Sequence, residues 1–152
     1  MRELGTRALV TDVLERFDDG RIDIVVEGQE RFRVERMTQG RSFMTAIVEP
    51  VEDEGDDDVK EETAARAAGA FRALAALAEA ETGEIDEHSP RLAFELAAQV
   101  ELAPDAKQGL LELRSEQQRL ELVAELLDAA RAVLIATRQL GERAKRNGSR
   151  LS

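Results

Sequence analysis

Over Ile22–Val26 and Phe32–Val34 apolar side chains recur at every second position, and from about residue 59 they recur at helical spacing. The change of period predicts strands first and helices afterwards. Ile22, Ile24 and Val26 alternate with Asp23, Val25 and Glu27, the rhythm of a half-buried strand. Asp19-Gly20 before them is a tight-turn pair, because glycine tolerates positive φ and aspartate bonds its own backbone. Four strands are expected: Arg7 to Leu14, Arg21 to Glu27, Glu30 to Arg36 and Phe43 to Val51. Gly28 breaks the run between the second and third, and Gln39-Gly40 marks the loop before the fourth. Pro50 stops the fourth, since proline cannot donate to a ladder. The pattern is that of a β-meander.

The run Glu52-Asp53-Glu54-Gly55-Asp56-Asp57-Asp58 has no apolar side chain to bury and reads as a solvated acidic linker. Its spacing does not match a calcium loop, which needs ligands at fixed offsets and a bidentate glutamate. Four helices follow. Asp58 with Glu61 reads as a capping box for the first, whose stripe is Ala67, Phe71, Leu74 and Ala78 and whose end falls near Thr82-Gly83. Ser89 caps the second, with Pro90 in its first turn and Leu92, Leu96 and Val100 on one face. Pro104 opens a short third helix to about Leu113. Ser115 with Gln118 caps the fourth, which runs to about Lys145. That helix carries two stripes, Leu120, Val123, Leu127 and Leu134, and Leu122, Leu126, Val133 and Leu140. Together they cover more circumference than a surface helix needs, so it is either central to its own bundle or meets another chain or domain.

Charge narrows the functional classes. The net charge of −11 is uneven: residues 1 to 51 carry 8 basic and 10 acidic groups, residues 52 to 62 carry 1 and 8, and residues 138 to 152 carry 5 and 1. An acidic surface repels phosphate backbones and anionic lipids, which disfavours nucleic acid and membrane as partners. The sequence has no cysteine, which fits a reducing, cytoplasmic setting. No signal peptide is visible, and the longest apolar run, Ala132 to Ala136, is far short of the ~20 residues that span a bilayer. No glycine-rich loop ends in Gly-Lys-Ser/Thr, so ATP hydrolysis is not expected.

The ordered set Gly5-Thr6, Asp19-Gly20-Arg21, Val26-Glu27-Gly28, Arg31-Phe32-Arg33-Val34 and Val48-Glu49-Pro50, followed by Ser89-Pro90-Arg91-Leu92-Ala93-Phe94 and Lys107-Gln108-Gly109-Leu110-Leu111-Glu112, resembles the N-terminal substrate-binding domain of Lon proteases. That family also includes small stand-alone proteins without ATPase or peptidase. The resemblance covers most of residues 5 to 136. The family pattern includes an earlier β-half with P-L-F-P-L and I-F-E-x-R-Y motifs that this sequence lacks, and the chain contains no tyrosine. A truncated chain, a mis-started reading frame and a divergent short form all stay open. The resemblance implies an α+β fold, a partial PUA-like LON β-barrel followed by a helical bundle. The expected organisation is a β-domain over 1–51, the acidic linker over 52–58, a helical subdomain over 59–147 and a tail over 148–152.

Few residues suggest chemistry. Lon-type proteolysis needs a serine nucleophile and a lysine base on a separate domain, whereas Ser89 and Ser115 read as helix caps. His88 is the single histidine, and its neighbours Asp86 and Glu87 are too close in sequence to share one ion with it, so no metal and no cofactor is expected. Arg31 and Arg33 share one strand face and could contact an anion, or pair across the sheet with Asp23 or Glu27. Met37, Phe43 and Met44 flank the loop between the last two strands. Flexible thioethers and a ring there suit adaptable apolar binding, the best local candidate for contacting unfolded polypeptide. The basic stretch Arg138 to Arg150 reads as a disordered end or a dock for the acidic linker.

The expected function is a non-catalytic module that binds exposed apolar or disordered polypeptide, an adaptor or substrate-selecting piece in protein quality control. An open sheet edge can add a peptide strand by main-chain pairing. Self-association through the long last helix or the open sheet edge is a further expectation. The alternatives are an RNA-binding role, by similarity of the LON β-domain to the PUA fold, and a fragment without independent activity.

Overall fold

Strand-period sequence becomes β1 (Leu4–Arg16), β2 (Ile22–Thr38) and β3 (Thr45–Pro50), and helix-period sequence becomes α1 (Glu61–Ala78), α2 (Leu92–Ala98), α3 (Pro104–Glu112) and α4 (Glu116–Gly148). The computed structural model describes residues 2–54 and 59–148. The chain divides into two units, Met1–Asp53 and Glu54–Ser152. Among the described residues one antiparallel sheet and four helices are present, which makes the fold α+β.

The sheet order is β1-β2-β3, with both pairs antiparallel. The β1–β2 turn forms where the Asp-Gly pair sits. Gly20 takes φ 88°, which an L side chain resists, and its N–H donates to Phe17 O at 3.0 Å. Asp19 accepts from the Arg21 backbone N–H and from its Nε, and the Arg21 guanidinium lies 4.7 Å from the Phe17 ring centre. The expected second and third strands are one strand. Gly28 does not end it but pairs with Ala8, and the ladder resumes with Arg31 opposite Thr6. The extra residue at Gln29 and Glu30 is taken up as a bulge, which interrupts alternation without ending pairing. Across the same ladder Gly5 faces Phe32, where an added Cβ would lie 3.1 Å from the ring. A side chain there would displace the aromatic.

Only around Arg31–Val34 do all three strands lie side by side. Below it β1 and β2 continue as a two-stranded ribbon, Ala8–Arg16 against Ile22–Gly28. Above it β2 and β3 form a hairpin, Phe32–Thr38 against Thr45–Pro50. The last strand starts at Thr45, so Phe43 and Met44 fall in the connecting bend and not in the strand expected for them.

The helical unit holds the core. Ala64, Ala67 and Phe71 of α1, Leu92, Ala93 and Leu96 of α2, Leu110 of α3, and Leu120, Val123, Ala124 and Leu127 of α4 form one buried cluster. The alanines let α1 and α4 approach closely, and each fully buried leucine contributes about 1.5–3 kcal/mol. The α1 stripe runs through Ala64, Ala67, Ala68, Phe71 and Ala75, leaving Ala78 exposed. This helix ends at Ala78, short of Thr82-Gly83, because Glu79 enters the left-handed region at φ 56°. There its N–H donates to Ala76 O and that of Ala80 donates to Ala75 O, the pairing that closes a helix end.

The caps differ in detail from expectation. Asp58 lies outside the described residues. Lys60 stands at the start of α1, its N–H donating to Gln117 Oε1 at 3.1 Å. Ser115 Oγ accepts from Gln118 N–H at 3.4 Å, while Ser89 Oγ accepts from Arg91 N–H and α2 begins only at Leu92. Glu116 and Arg119 form a buried polar pair. Glu116 accepts from Ala93 N–H at 2.8 Å and from Arg119 Nε at 2.8 Å. Arg119 also donates to Leu113 O and lies 4.8 Å from the Phe94 ring centre. This pair ties the start of α4 to α2 with its hydrogen-bonding groups engaged.

The 33 residues of α4 make a rod roughly 50 Å long at 1.5 Å per residue. Its first half lies in the core and its outer half is largely exposed, including Val133 and Leu140. The helix continues past Lys145 to Gly148, so Arg138 is helical and pairs with Glu79 at 3.4 Å. Residues 149–152 of the expected tail lie outside the described residues. Of the acidic linker, Asp53 pairs with Arg31 and Glu54 with Arg114, and 55–58 lie outside the described residues.

Candidate functional site

The β-hairpin end of the sheet carries the three apolar residues singled out by sequence. Met37 lies in β2 opposite Ala46, and Phe43 and Met44 lie in the bend just before β3. Thr38 and Thr45 face each other and share a hydroxyl hydrogen bond that closes the base of this loop. Met37, Phe43 and Met44 are 40%, 62% and 82% exposed, so they are surface and not core. Arg41 lies 5.7 Å from the Phe43 ring centre, a cation–π distance that favours an outward-held ring.

The two arginines are structurally engaged. The Arg31 side chain is 9% exposed and pairs with Asp53. Arg33 reaches Glu49 at 4.0 Å across the β2–β3 ladder. The partners expected for them, Asp23 and Glu27, are elsewhere in the register, opposite Glu15 and Leu9. Sequence alternation alone could not place Glu49 or Asp53, because both depend on how β3 pairs.

The ribbon holds a second apolar surface that sequence reading only half identified. Directly opposite residues of an antiparallel pair share a face. Val10 faces Val26, Val13 faces Ile24 and Arg16 faces Ile22. On β1 the spacing of 3 between Val10 and Val13 breaks strand alternation, and register shifts beside Thr11 and Leu14 restore it. The Thr11 hydroxyl donates to Val25 O at 3.3 Å at the first shift. The result is one face with Val10, Val13, Ile22, Ile24 and Val26, each 44–51% exposed. The other face carries Leu9, Asp12, Glu15, Asp23, Val25 and Glu27. The β1 contribution was hidden because a bulge has no fixed sequence signal.

The helical unit contains an open cavity of about 1100 Å³ whose wall includes Glu61, Glu84, Asp86, Glu87, His88 and Glu116. His88 N–H donates to Asp86 Oδ1 at 3.0 Å in a turn, and Glu116 is engaged as described above. Among the described residues no group of three or more histidine, cysteine, aspartate or glutamate side chains could hold a metal ion. No helix among them is long and apolar enough to cross a membrane. The arrangement is suited to burying apolar side chains on a sheet and to main-chain pairing along its edges.

Comparison with known proteins agrees with this architecture. Residues 1–129 match the model of the ATP-dependent protease La (LON) substrate-binding domain. The chain is 32% identical over 139 residues to a Lon protease of Anaeromyxobacter dehalogenans, covering 86% of this chain and 16% of that protein. It is 31% identical over 139 residues to Lon protease 2 of Myxococcus xanthus, covering 86% of this chain and 17% of that protein. A Lon protease of Brucella suis is 25% identical over 152 residues, covering 95% of this chain and 18% of that protein. The chain therefore spans under a fifth of the length of these curated relatives. Among solved structures, a Lon N-terminal domain protein from Xanthomonas campestris shares the fold with a TM-score of 0.57 at 22% identity, over 79% of this chain and 65% of that one.

Proposed function

The chain belongs to the Lon substrate-binding domain family, and from that membership we propose that it is a polypeptide-binding module that captures exposed apolar segments and performs no covalent chemistry itself. It acts as a substrate-selecting piece or adaptor in protein quality control, in the cytoplasm. The observation that supports this most is the concentration of exposed large apolar side chains on the sheet, from Leu9 to Val48. Scattered apolar residues on a surface are ordinary, but Val10, Val13, Ile22, Ile24 and Val26 share one face of the ribbon, and a set of neighbours of this kind marks a contact site. Burial of such surface contributes about 25 cal/mol per Å² and does not depend on charge.

The test is capture of a chemically unfolded client, read by suppression of its aggregation and by anisotropy of a labelled fragment. Capture that persists at ~0.5 M salt is the expected result, because screening at that strength leaves apolar contacts in place. Loss of all capture at that salt points instead to a charge-based contact and overturns the apolar reading. ATP turnover or client cleavage above background in a pure preparation contradicts the non-catalytic part.

Self-association through the outer half of α4 belongs to the same proposal. Its support is the exposure of Val133 and Leu140, one heptad apart on that helix. Sedimentation of the full chain with Val133→Ser and Leu140→Ser tests it, and an unchanged mass distribution removes it.

A further inference from the structure

We propose that the open edge of β2 over Ile22–Gly28 takes, as an added strand, an extended segment of another protein in which apolar and cationic residues alternate. This rests on the polypeptide-binding reading and narrows it to one edge and one class of segment.

The edge is defined by where β3 stops. Pairing of β3 with β2 ends at Pro50 opposite Phe32, and Val51 N–H makes the final contact, to Arg31 O. Over Ile22–Gly28 the strand pairs with β1 on one side, and among the described residues no strand pairs on the other. Every second residue there presents an unpaired N–H and C=O, a template for one more strand. The stretch is also regular. The extra residues of the ribbon fall on β1 at Thr11 and Leu14, so the outer edge of β1 is irregular and that of β2 is not.

The two faces then specify the incoming side chains. Ile22, Ile24 and Val26 line one face, joined by Val10 and Val13. Asp12, Glu15, Asp23 and Glu27 line the other, and no described lysine or arginine forms an ion pair with any of them. Glu15 and Asp23 even stand directly opposite each other, an arrangement that destabilises a ribbon until a cation lies nearby. A strand beside β2 alternates its own side chains between these faces. Opposite Asp23 to Glu27 the matching order is cationic, apolar, any residue, apolar, cationic. That order reads the same from either end, so it suits a parallel or an antiparallel segment.

A second copy of this chain is a poor occupant of the edge. In the register centred on Val25, which uses the whole of Ile22–Gly28, Asp23 would face Glu27 twice. The carboxylates thus oppose self-pairing and favour a cationic guest.

The test uses the full chain and labelled synthetic peptides, read by fluorescence anisotropy. The probe carries lysine, valine, threonine, isoleucine and lysine in that order within a short threonine-rich frame. Three controls replace the lysines by glutamate, cluster the apolar residues at one end, or N-methylate alternate amides. The expected result is binding of the probe and weakening with every control. Asp23→Asn with Glu27→Gln, both exposed positions, is expected to weaken the probe about tenfold, roughly threefold per cross-strand ion pair. Equal binding of the end-clustered or N-methylated peptide overturns strand addition at this edge. An unchanged affinity in the double variant overturns the cationic preference. If an unfolded apolar client is still captured in either case, the edge proposal fails and the polypeptide-binding reading stands. If no peptide or client binds at all, both fall. Self-association of the chain that the probe does not reverse, and that the double variant strengthens, assigns the edge to a second copy and also overturns the proposal.

Discussion

In the helical unit Phe71, Leu92, Leu96, Leu120 and Leu127 are buried, whereas in the ribbon Val10, Val13, Ile22, Ile24 and Val26 stand half exposed. The residue types are similar, so layering makes the difference. Helices α1, α2, α3 and α4 each turn an apolar stripe toward a shared centre. The ribbon has two strands and two faces, with no second layer in its own unit to close either one. A two-stranded element of this kind gains little stability from its own contacts. The helices are therefore expected to supply most of the stability, and the sheet to supply surface. Polar groups divide less cleanly: Glu116 and Arg119 are buried and paired and Arg31 of the sheet unit is largely buried against Asp53, while Asp12, Glu15, Asp23 and Glu27 of the ribbon face solvent.

The sharpest way to break this comparison is at the buried pair. Arg119→Met leaves the buried Glu116 carboxyl held by Ala93 N–H without its arginine. A loss of about 3–5 kcal/mol is expected, read from urea unfolding followed by helical circular dichroism. A loss under about 1 kcal/mol would mean that the helical unit does not depend on its interior polar tie.

A smaller contrast follows from packing. Leu96→Ala, deep in the core, is expected to cost about 2–5 kcal/mol by the same measurement. Val26→Ala, half exposed on the ribbon, is expected to cost under about 1 kcal/mol. Equal costs would show that the ribbon face is covered in solution. Hydrogen exchange sharpens the same point without mutation. Amides of α1 and of residues 120–130 in α4 should exchange more slowly than those of β1 and residues 22–28 of β2. The reverse order would make the sheet the more stable unit.

Much of this architecture was legible in sequence, for reasons that can be named. The Asp19-Gly20 turn was readable because its conformation needs those residue types. The helices were readable because Leu92 and Leu96, or Leu120, Val123 and Leu127, repeat at helical spacing. The fusion of two expected strands into β2 was not readable, since Gly28 suits a break and a bulge equally well. Glu79 at φ 56° was also hidden, because an acidic residue is a rare choice for a left-handed helix end. At the candidate site, Met37, Phe43 and Met44 were proposed from their place beside a loop, and that place leaves them exposed. The partners of Arg31 and Arg33 depended on long-range register and were missed. The ribbon face was half visible, through Ile22, Ile24 and Val26, and its β1 half depended on two bulges.

The smallest expected effect on stability accompanies the change most informative for function. Phe43→Ser with Met44→Ser removes two side chains that the fold leaves in solvent, in a bend outside the ladder. Exposed positions of this kind usually change stability by less than about 0.5 kcal/mol. Loss of the Arg41 contact to the ring adds little, because an exposed cation–π pair contributes only about 0.5–1 kcal/mol. Urea unfolding of the double variant should therefore differ from that of the unmodified chain by no more than about 1 kcal/mol. Capture of an unfolded client should nevertheless weaken, by about threefold to tenfold if the two side chains bury a modest apolar area on it. The ribbon substitution Val26→Ser gives the matching control at the other end of the sheet. Weakening by the hairpin pair alone places the client at the β2–β3 bend, weakening by Val26→Ser alone places it on the ribbon, and weakening by both means that the client spans the sheet. If neither changes capture while both leave unfolding unaltered, the exposed apolar surface of the sheet is not the binding surface, and the contrast between the two units describes stability alone.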